Sequence, residues 1–172
     1  INNDLANNYG NLCQRVFTFI SKNCSNKIPK PGALAKVDNV LLENLKNEIP
    51  NLINLMNNQE LNLYIKKVVS YSFDANKYFN DSEPWSLKKT DVARMNTIIF
   101  TIVEQIKNIS ILLNPIIPIA TNKVLDTINI PVTDRNIEYV LKNDILNHSL
   151  DLKKIKILFN KVENDYWFTL PS

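Results

Sequence analysis

Between Met95 and Leu113, apolar side chains recur three and four residues apart without a break: Met95, Ile98, Ile99, Ile102, Val103, Ile106, Ile109 and Leu113. At about 100° per residue these positions cover one broad side of a helix. A helix with so wide an apolar stripe must be enclosed by other elements, so this segment is predicted to be the most buried of the chain. The segments available to enclose it are helical too. Leu5, Tyr9, Leu12, Val16, Phe19 and Ile20 form one face of a helix over about Asn3 to Asn23. A second helix runs from about Asp38, read as its N-cap, to Asn57. Leu41, Leu42, Leu45, Ile49, Leu52, Ile53 and Met56 supply its apolar face, and Pro50 is expected to kink it. A third helix over about Asn58 to Asn80 turns Leu61, Ile65, Val68, Val69, Ser72 and Phe79 inward, with Ala75 allowing close packing.

Asn80, Asp81 and Ser82 are turn formers, and Pro84 has no backbone donor, so the third helix should stop there. Thr90 and Asp91 are placed to cap the Met95–Leu113 helix. Asn114-Pro115-Ile116-Ile117-Pro118 ends it, and Thr121 to Ile128 makes a shorter fifth helix. The fold class that follows is all-α: an antiparallel bundle of about five helices with short connections. Residues 1–130 form the bundle and 131–172 a C-terminal extension. Within that extension Asp134 to Leu141 suits a short helix. The alternation around Lys154-Ile155-Lys156-Ile157 suits an extended tail at about Ile155 to Val162.

Composition removes several functions. Two glycines in 172 residues leave no glycine-rich phosphate loop. A net charge of +3 permits a nucleic-acid partner without arguing for one. The longest apolar run, Ile109 to Ile119, is short and broken by Pro115 and Pro118, so no membrane span is expected. Cys13 and Cys24 have no further partners and read as reduced thiols in or near the core, and no metal site is expected. His148 is the only histidine and stands in a polar stretch far from any Cys or carboxylate cluster. No motif of a hydrolase, a P-loop or a metalloprotease occurs, which favours a binding module over a catalyst. The first residue is Ile1 rather than Met, which suggests a piece of a longer protein.

Two local features fit recognition of unpaired bases. Pro84 restricts the backbone before Trp85, so the indole leaves its loop in a limited range of directions, with Lys88 and Lys89 close behind. An aromatic beside cations can stack on a base while the lysines attract phosphates. The same tryptophan could equally plug the end of the helix layer. On the first helix, Asn11 and Arg15 lie one turn apart on a stripe separate from the apolar face. An amide and a planar guanidinium can read the edge of a base, or can form an ordinary solvated stripe.

The order of these segments resembles a known family. Asn3-Asp4-Leu5-Ala6-Asn7-Asn8-Tyr9-Gly10-Asn11-Leu12-Cys13-Gln14-Arg15 is similar to the Asn-Ala-Asp-Leu-Ala-Asn-x-x-Gly-Asn-Leu-x-x-Arg that opens the anticodon-binding domain of methionyl-tRNA synthetases. Ala75-Asn76-Lys77-Tyr78 and Pro84-Trp85-Ser86-Leu87-Lys88-Lys89 resemble that family's Ala-Asn-Lys-Tyr and Ala-Pro-Trp-x-Leu-Lys-Lys. Leu112 to Pro118 is like its Leu-Leu-x-Pro-Phe-x-Pro, and Ile157 to Glu163 is a looser match to its terminal Pro-Leu-Phe-Pro-Arg-Ile-Glu. The four matches stand in family order across nearly the whole chain.

The resemblance implies a class Ia type of anticodon-binding bundle that reads the CAU anticodon of tRNA-Met. It implies that Asn11 and Arg15 hydrogen-bond the anticodon bases, chiefly the first, and that Trp85 stacks on them. Lys88 and Lys89 are candidate phosphate contacts. The catalytic motifs of the family belong to an N-terminal domain and are absent, so no catalytic residue and no cofactor are expected here. The parent enzyme, a cytoplasmic methionine–tRNA ligase, would use ATP with Mg, and the implied partners are the tRNA-Met anticodon loop and that catalytic domain. Two alternatives remain: the corresponding domain of a sister class Ia synthetase, or a helical protein-interaction module without an RNA role. The chain departs from the family where Asn80-Asp81-Ser82-Glu83 replaces the common Asp-Glu-Gln-Ala, and where Asn160 replaces a proline of the tail.

Overall fold

The computed structural model describes residues 5–142. His148, the strand expected at 155–162 and the terminal family match at 157–163 lie outside the described residues.

The chain enters as a wide π-helical segment, Leu5–Gly10, which passes directly into helix α1, Asn11–Asn23. Gly10 keeps right-handed helical angles, φ −64° and ψ −46°, so the two pieces form one continuous helical rod. All six apolar positions expected to face inward are buried, and Cys13 and Phe17 join them. Cys24, just past the end of α1, is partly buried. Burial pushes the Cys13 thiol up to about 12, which keeps it protonated at neutral pH. The expected single α-helix is therefore wound more loosely in its first turns. At that point the Asn8 carbonyl accepts a hydrogen bond of 3.1 Å from the Asn76 amide of another helix.

Helix α2, Lys36–Asn57, begins earlier than expected and runs unbroken through Pro50. Its N-cap is Ala35, not Asp38. Asp38 stands in the first turn, where its carboxylate accepts from the Ala35 N–H at 2.8 Å and so satisfies a donor that the helix itself cannot. Leu41, Leu42, Leu45, Ile49 and Leu52 are buried, while Ile53 and Met56 are only partly so near the end of the helix.

Helix α3, Leu61–Ser82, packs against α2 and the central helix. Its inner face matches expectation except at Leu61, which is exposed because the helix's first residue extends past the core. Three tyrosines at seven-residue intervals, Tyr64, Tyr71 and Tyr78, are also buried along α3. Two of them send their hydroxyls to specific acceptors: Tyr64 to the Leu112 carbonyl at 2.6 Å, and Tyr78 to Asp38 at 2.6 Å. Buried phenols need such partners.

Helix α4, Val92–Leu113, is capped by Asp91, which accepts from the Arg94 N–H at 3.0 Å. Every residue from Thr97 to Leu113 is buried. The prediction that this helix lies deepest holds, but its burial reaches well beyond the apolar stripe. Thr101, Glu104, Gln105, Lys107, Asn108 and Ser110 are enclosed as well. Glu104 and Lys107 form an ion pair three residues apart, and the ammonium lies 5.4 Å from the Tyr139 ring centroid. Pairing is what makes two enclosed charges tolerable.

After the Asn114–Ile117 turn, α5, Pro118–Thr127, starts with proline in its first turn. A 3₁₀ turn, Val132–Asp134, and a short helix α6, Ile137–Lys142, follow. Arg135 ties this stretch to α5 through Asn122 at 2.8 Å and an ion pair with Asp126, and to the segment just after α5 through the Ile130 carbonyl at 2.7 Å. Helix α6 rests on α2 and α4. Among the described residues there is no strand, and none of the helices is long and apolar enough to cross a membrane.

Candidate nucleic-acid interface

The end of α3 is built to turn sharply. Glu83 takes a left-handed conformation, φ 45° and ψ 55°, which stops the helix one residue past Ser82. Pro84 is buried behind it and opens a single 3₁₀ turn, Pro84–Leu87. The turn holds Trp85 at the surface with 40 % of its area exposed.

Beneath the indole lies Phe79, one turn back on α3. Its ring meets Trp85 edge-on, with centroids 5.5 Å apart and planes at 67°. On another side the same ring carries the Arg15 guanidinium, 4.9 Å from the centroid. Phe19 of α1 completes the aromatic layer at 6.2 Å from Phe79, nearly perpendicular to it. The Lys88 ammonium sits 5.8 Å from the Phe19 centroid. Aromatic pairs favour edge-to-face arrangements, and cations favour ring faces.

Arg15 is partly buried and held by two asparagine side chains on α3. One terminal nitrogen donates to Asn76 Oδ1 at 3.2 Å and the other to Asn80 Oδ1. Asn76 is itself fixed, because its Nδ2 donates to the carbonyls of Asn8 and Ser72, both at 3.1 Å. Its oxygen must then face Arg15. Among the described residues no carboxylate comes within ion-pairing distance of this guanidinium.

Arg15 and Trp85, 70 positions apart in the chain, thus both contact one phenylalanine. Asn11 is exposed at the first position of α1, one helical turn before Arg15. Lys88 and Lys89 are exposed just beyond the indole. Sequence reasoning placed Phe79 and Phe19 in the core and did not see that they join the two candidate elements. It also missed Asn76 and Asn80 as partners of Arg15. The available signal was their four-residue spacing, which puts both amides on one face of α3 with Phe79 beside them. Among the described residues no group of three His, Cys, Asp or Glu side chains is arranged to hold a metal ion.

The resulting surface offers a partly exposed aromatic ring, an amide, and a guanidinium with three N–H groups not bonded to asparagine. Comparison with known proteins narrows its meaning. Residues 28–168 match the sequence profile described as the anticodon binding domain of methionyl tRNA ligase. The chain belongs to that family. The matched stretch contains Trp85, Asn76 and Asn80 and starts after Asn11 and Arg15. Among curated relatives, methionine–tRNA ligase of Brucella suis is 36 % identical over 144 residues, covering 84 % of this chain and 28 % of the relative. That of Rickettsia felis is 31 % identical over 168 residues, covering 96 % of this chain and 33 % of the relative. The longer alignment spans all but a few residues of the chain. Among solved structures, the free form of Mycobacterium tuberculosis methionyl-tRNA synthetase superposes with a TM-score of 0.75 at 30 % identity, covering 80 % of this chain and 28 % of that one. The methionyl-tRNA ligase anticodon-binding domain described here therefore spans about a third or less of the relatives it matches.

Proposed function

We propose that this domain reads the CAU anticodon of tRNA-Met as the C-terminal part of a cytoplasmic methionine–tRNA ligase. The complete enzyme would attach methionine to its tRNA with ATP and Mg in an N-terminal catalytic domain. The single observation that carries the RNA reading is the shared contact of Arg15 and Trp85 with Phe79. It supplies a flat partner for stacking and a fan of donors within reach of one nucleotide.

In this mechanism the anticodon loop opens and its bases leave their own stack, which costs a few kcal/mol. Stacking on the Trp85 indole returns about 1–3 kcal/mol per base. Specificity comes from polar groups meeting base edges. Arg15 brings donors only, whereas Asn11 brings both donors and an acceptor. Lys88 and Lys89 face solvent and draw in phosphates, so their contribution weakens as salt rises. A protein-interaction module would favour a buried Trp85 and an ion-paired Arg15. The half-open indole and the amide-held guanidinium count against that alternative.

The direct test is a binding titration of the chain against two anticodon stem-loops, one with CAU and one with its first base changed. CAU is expected to bind at least tenfold more tightly. Equal affinity for the two would overturn the reading.

A further inference from the structure

Glu104 and Lys107 are enclosed with 1 % and 2 % of their side chains exposed, and anticodon reading makes no use of either. Their ion pair lies on α4 beside the short helix α6, whose Tyr139 ring centroid is 5.4 Å from the ammonium. Lys46, partly buried on α2, brings a second positive charge toward Lys107. Burial holds the Lys107 ammonium below its ordinary value, as expected of a cation deprived of water. An enclosed pair of this kind recovers little of what its two charges lose in hydration. Replacing both members by apolar side chains of similar size is often neutral or stabilising.

The helix packed beside the pair has a slight grip on the bundle. α6 has six residues, too few to be stable alone. Val140 is its one fully buried side chain. Ile137 and Tyr139 are partly buried, and Glu138, Leu141 and Lys142 are exposed. The chain just before α6 is held far more firmly. Arg135 is bonded to Asn122, to the Ile130 carbonyl and to Asp126. Between that anchor and the helix stands exposed Asn136, whose Oδ1 accepts from the Tyr139 N–H at 2.9 Å. Lifting α6 about Asn136 costs the contacts of Val140 and Tyr139 and returns water to Glu104 and Lys107. The two effects oppose each other, and the Arg135 anchor stays in place.

We propose that α6 is a releasable strap, hinged at Asn136, whose docking the Glu104–Lys107 pair holds near balance. The strap opens while α1 to α5 stay folded, which frees the start of the C-terminal extension without unfolding the bundle. The proposal does not depend on the anticodon reading.

Amide hydrogen exchange of the full 172-residue chain, followed residue by residue, tests it. In the unmodified chain the amides of Tyr139 to Lys142 should exchange at least about a hundredfold faster than those in the middle of α2 and α4. Val140→Ala should speed the α6 amides by about a further tenfold and leave α2 and α4 within about twofold. Glu104→Leu combined with Lys107→Met should instead slow the α6 amides by about tenfold, because docking no longer encloses charge.

Exchange of α6 together with α2 and α4 in the unmodified chain would overturn the strap, since all three would then open as one unit. Val140→Ala speeding α2 and α4 as much as α6 would overturn it equally. If the paired substitution leaves α6 exchange unchanged or faster, the pair is not what loosens the strap. If the paired substitution prevents folding, the pair serves the bundle itself and its assigned role is likewise refuted.

Discussion

Asp38 receives both terminal nitrogens of Arg94, at 2.6 and 2.9 Å, across 56 positions of sequence. The two residues belong to the first turns of α2 and α4, so the fork pins together the starts of two packed helices. Tyr78 donates a third hydrogen bond from α3 and the Ala35 N–H a fourth. The carboxylate is fully enclosed and every strong contact it makes is with a donor, while Arg94 keeps about a quarter of its side chain in water. Removing one member of such a pair leaves the other charge poorly compensated. Asp38→Asn should lower unfolding free energy by about 3 kcal/mol, near the bottom of the range for buried pairs because Arg94 is partly hydrated. Urea denaturation reads this directly. Adding Arg94→Met should cost less than the two single effects combined, because the stranded charge goes with it.

The same cluster predicts a pH dependence. Burial pushes the Asp38 carboxyl up, but the hydrogen bonds from Arg94, Tyr78 and Ala35, with the Arg94 charge, outweigh it and hold the group below its ordinary value. In the unfolded chain an aspartate titrates near about 3.9. The folded value is the lower of the two, so the contribution is complete above the unfolded value and disappears as pH falls through the folded one. The stability gap between the unmodified chain and Asp38→Asn should be constant from neutral pH to about 5 and shrink steadily below about 4. Denaturant midpoints measured for both proteins across that range give the comparison. A gap that persists undiminished to pH 2 would show that charge at Asp38 is not the stabilising feature.

Asp38 also shows where sequence reading stops. An aspartate ahead of an apolar helical stripe has the local look of an N-cap, and nothing nearby indicates that it belongs three residues further in with an arginine from another helix. The helices themselves were legible because each presents an apolar stripe of the right period. Burial of polar side chains was not. Thr101, Glu104, Gln105, Lys107, Asn108 and Ser110 read as the wet side of α4 until other elements are seen to close over them. The candidate interface divides in the same way. Asn11, Arg15 and Trp85 were visible as an off-core pair, a proline-aimed aromatic and a family pattern. The ring of Phe79 that joins two of them, and the two asparagines that hold Arg15, depend on how α1 lies against α3, which no local pattern encodes.

Substituting Trp85 tests the proposed stacking role, because it should separate anticodon binding from chemistry in the full-length protein. Trp85 is 40 % exposed and its ring contact among the described residues is an edge-to-face pairing with Phe79, so truncation should disturb the fold little. Trp85→Ala is expected to cost about 1–3 kcal/mol of anticodon binding, the value of one lost stack. Aminoacylation of tRNA should fall by roughly ten- to a hundredfold at subsaturating tRNA, following that energy. Methionine activation by ATP, measured without tRNA, should stay within about twofold, since that step has no need of the anticodon. Trp85→Phe should recover a large part of the loss because a flat ring remains. Equal loss of both activities in Trp85→Ala would point to a structural plug instead of a stacking platform.

Glu83 gives a stability prediction at the turn that presents the indole. A residue with a Cβ in the left-handed region costs about 1–2 kcal/mol relative to a right-handed one. Glu83 occupies that region at φ 45°, directly before Pro84, where the chain must leave α3. Glycine takes the same angles without the steric cost but loses more freedom on folding, about 0.5–1 kcal/mol. The balance favours Glu83→Gly by about 0.5–1 kcal/mol, in line with the common use of glycine just past helix ends. In a chain of this size that is a rise in Tm of about 1–4 °C. Glu83→Ala is the control: it removes the exposed carboxylate but keeps the Cβ, so Tm should move by less than about 1 °C. If alanine raises Tm as much as glycine does, the gain comes from the lost charge and the left-handed turn is not the source of strain.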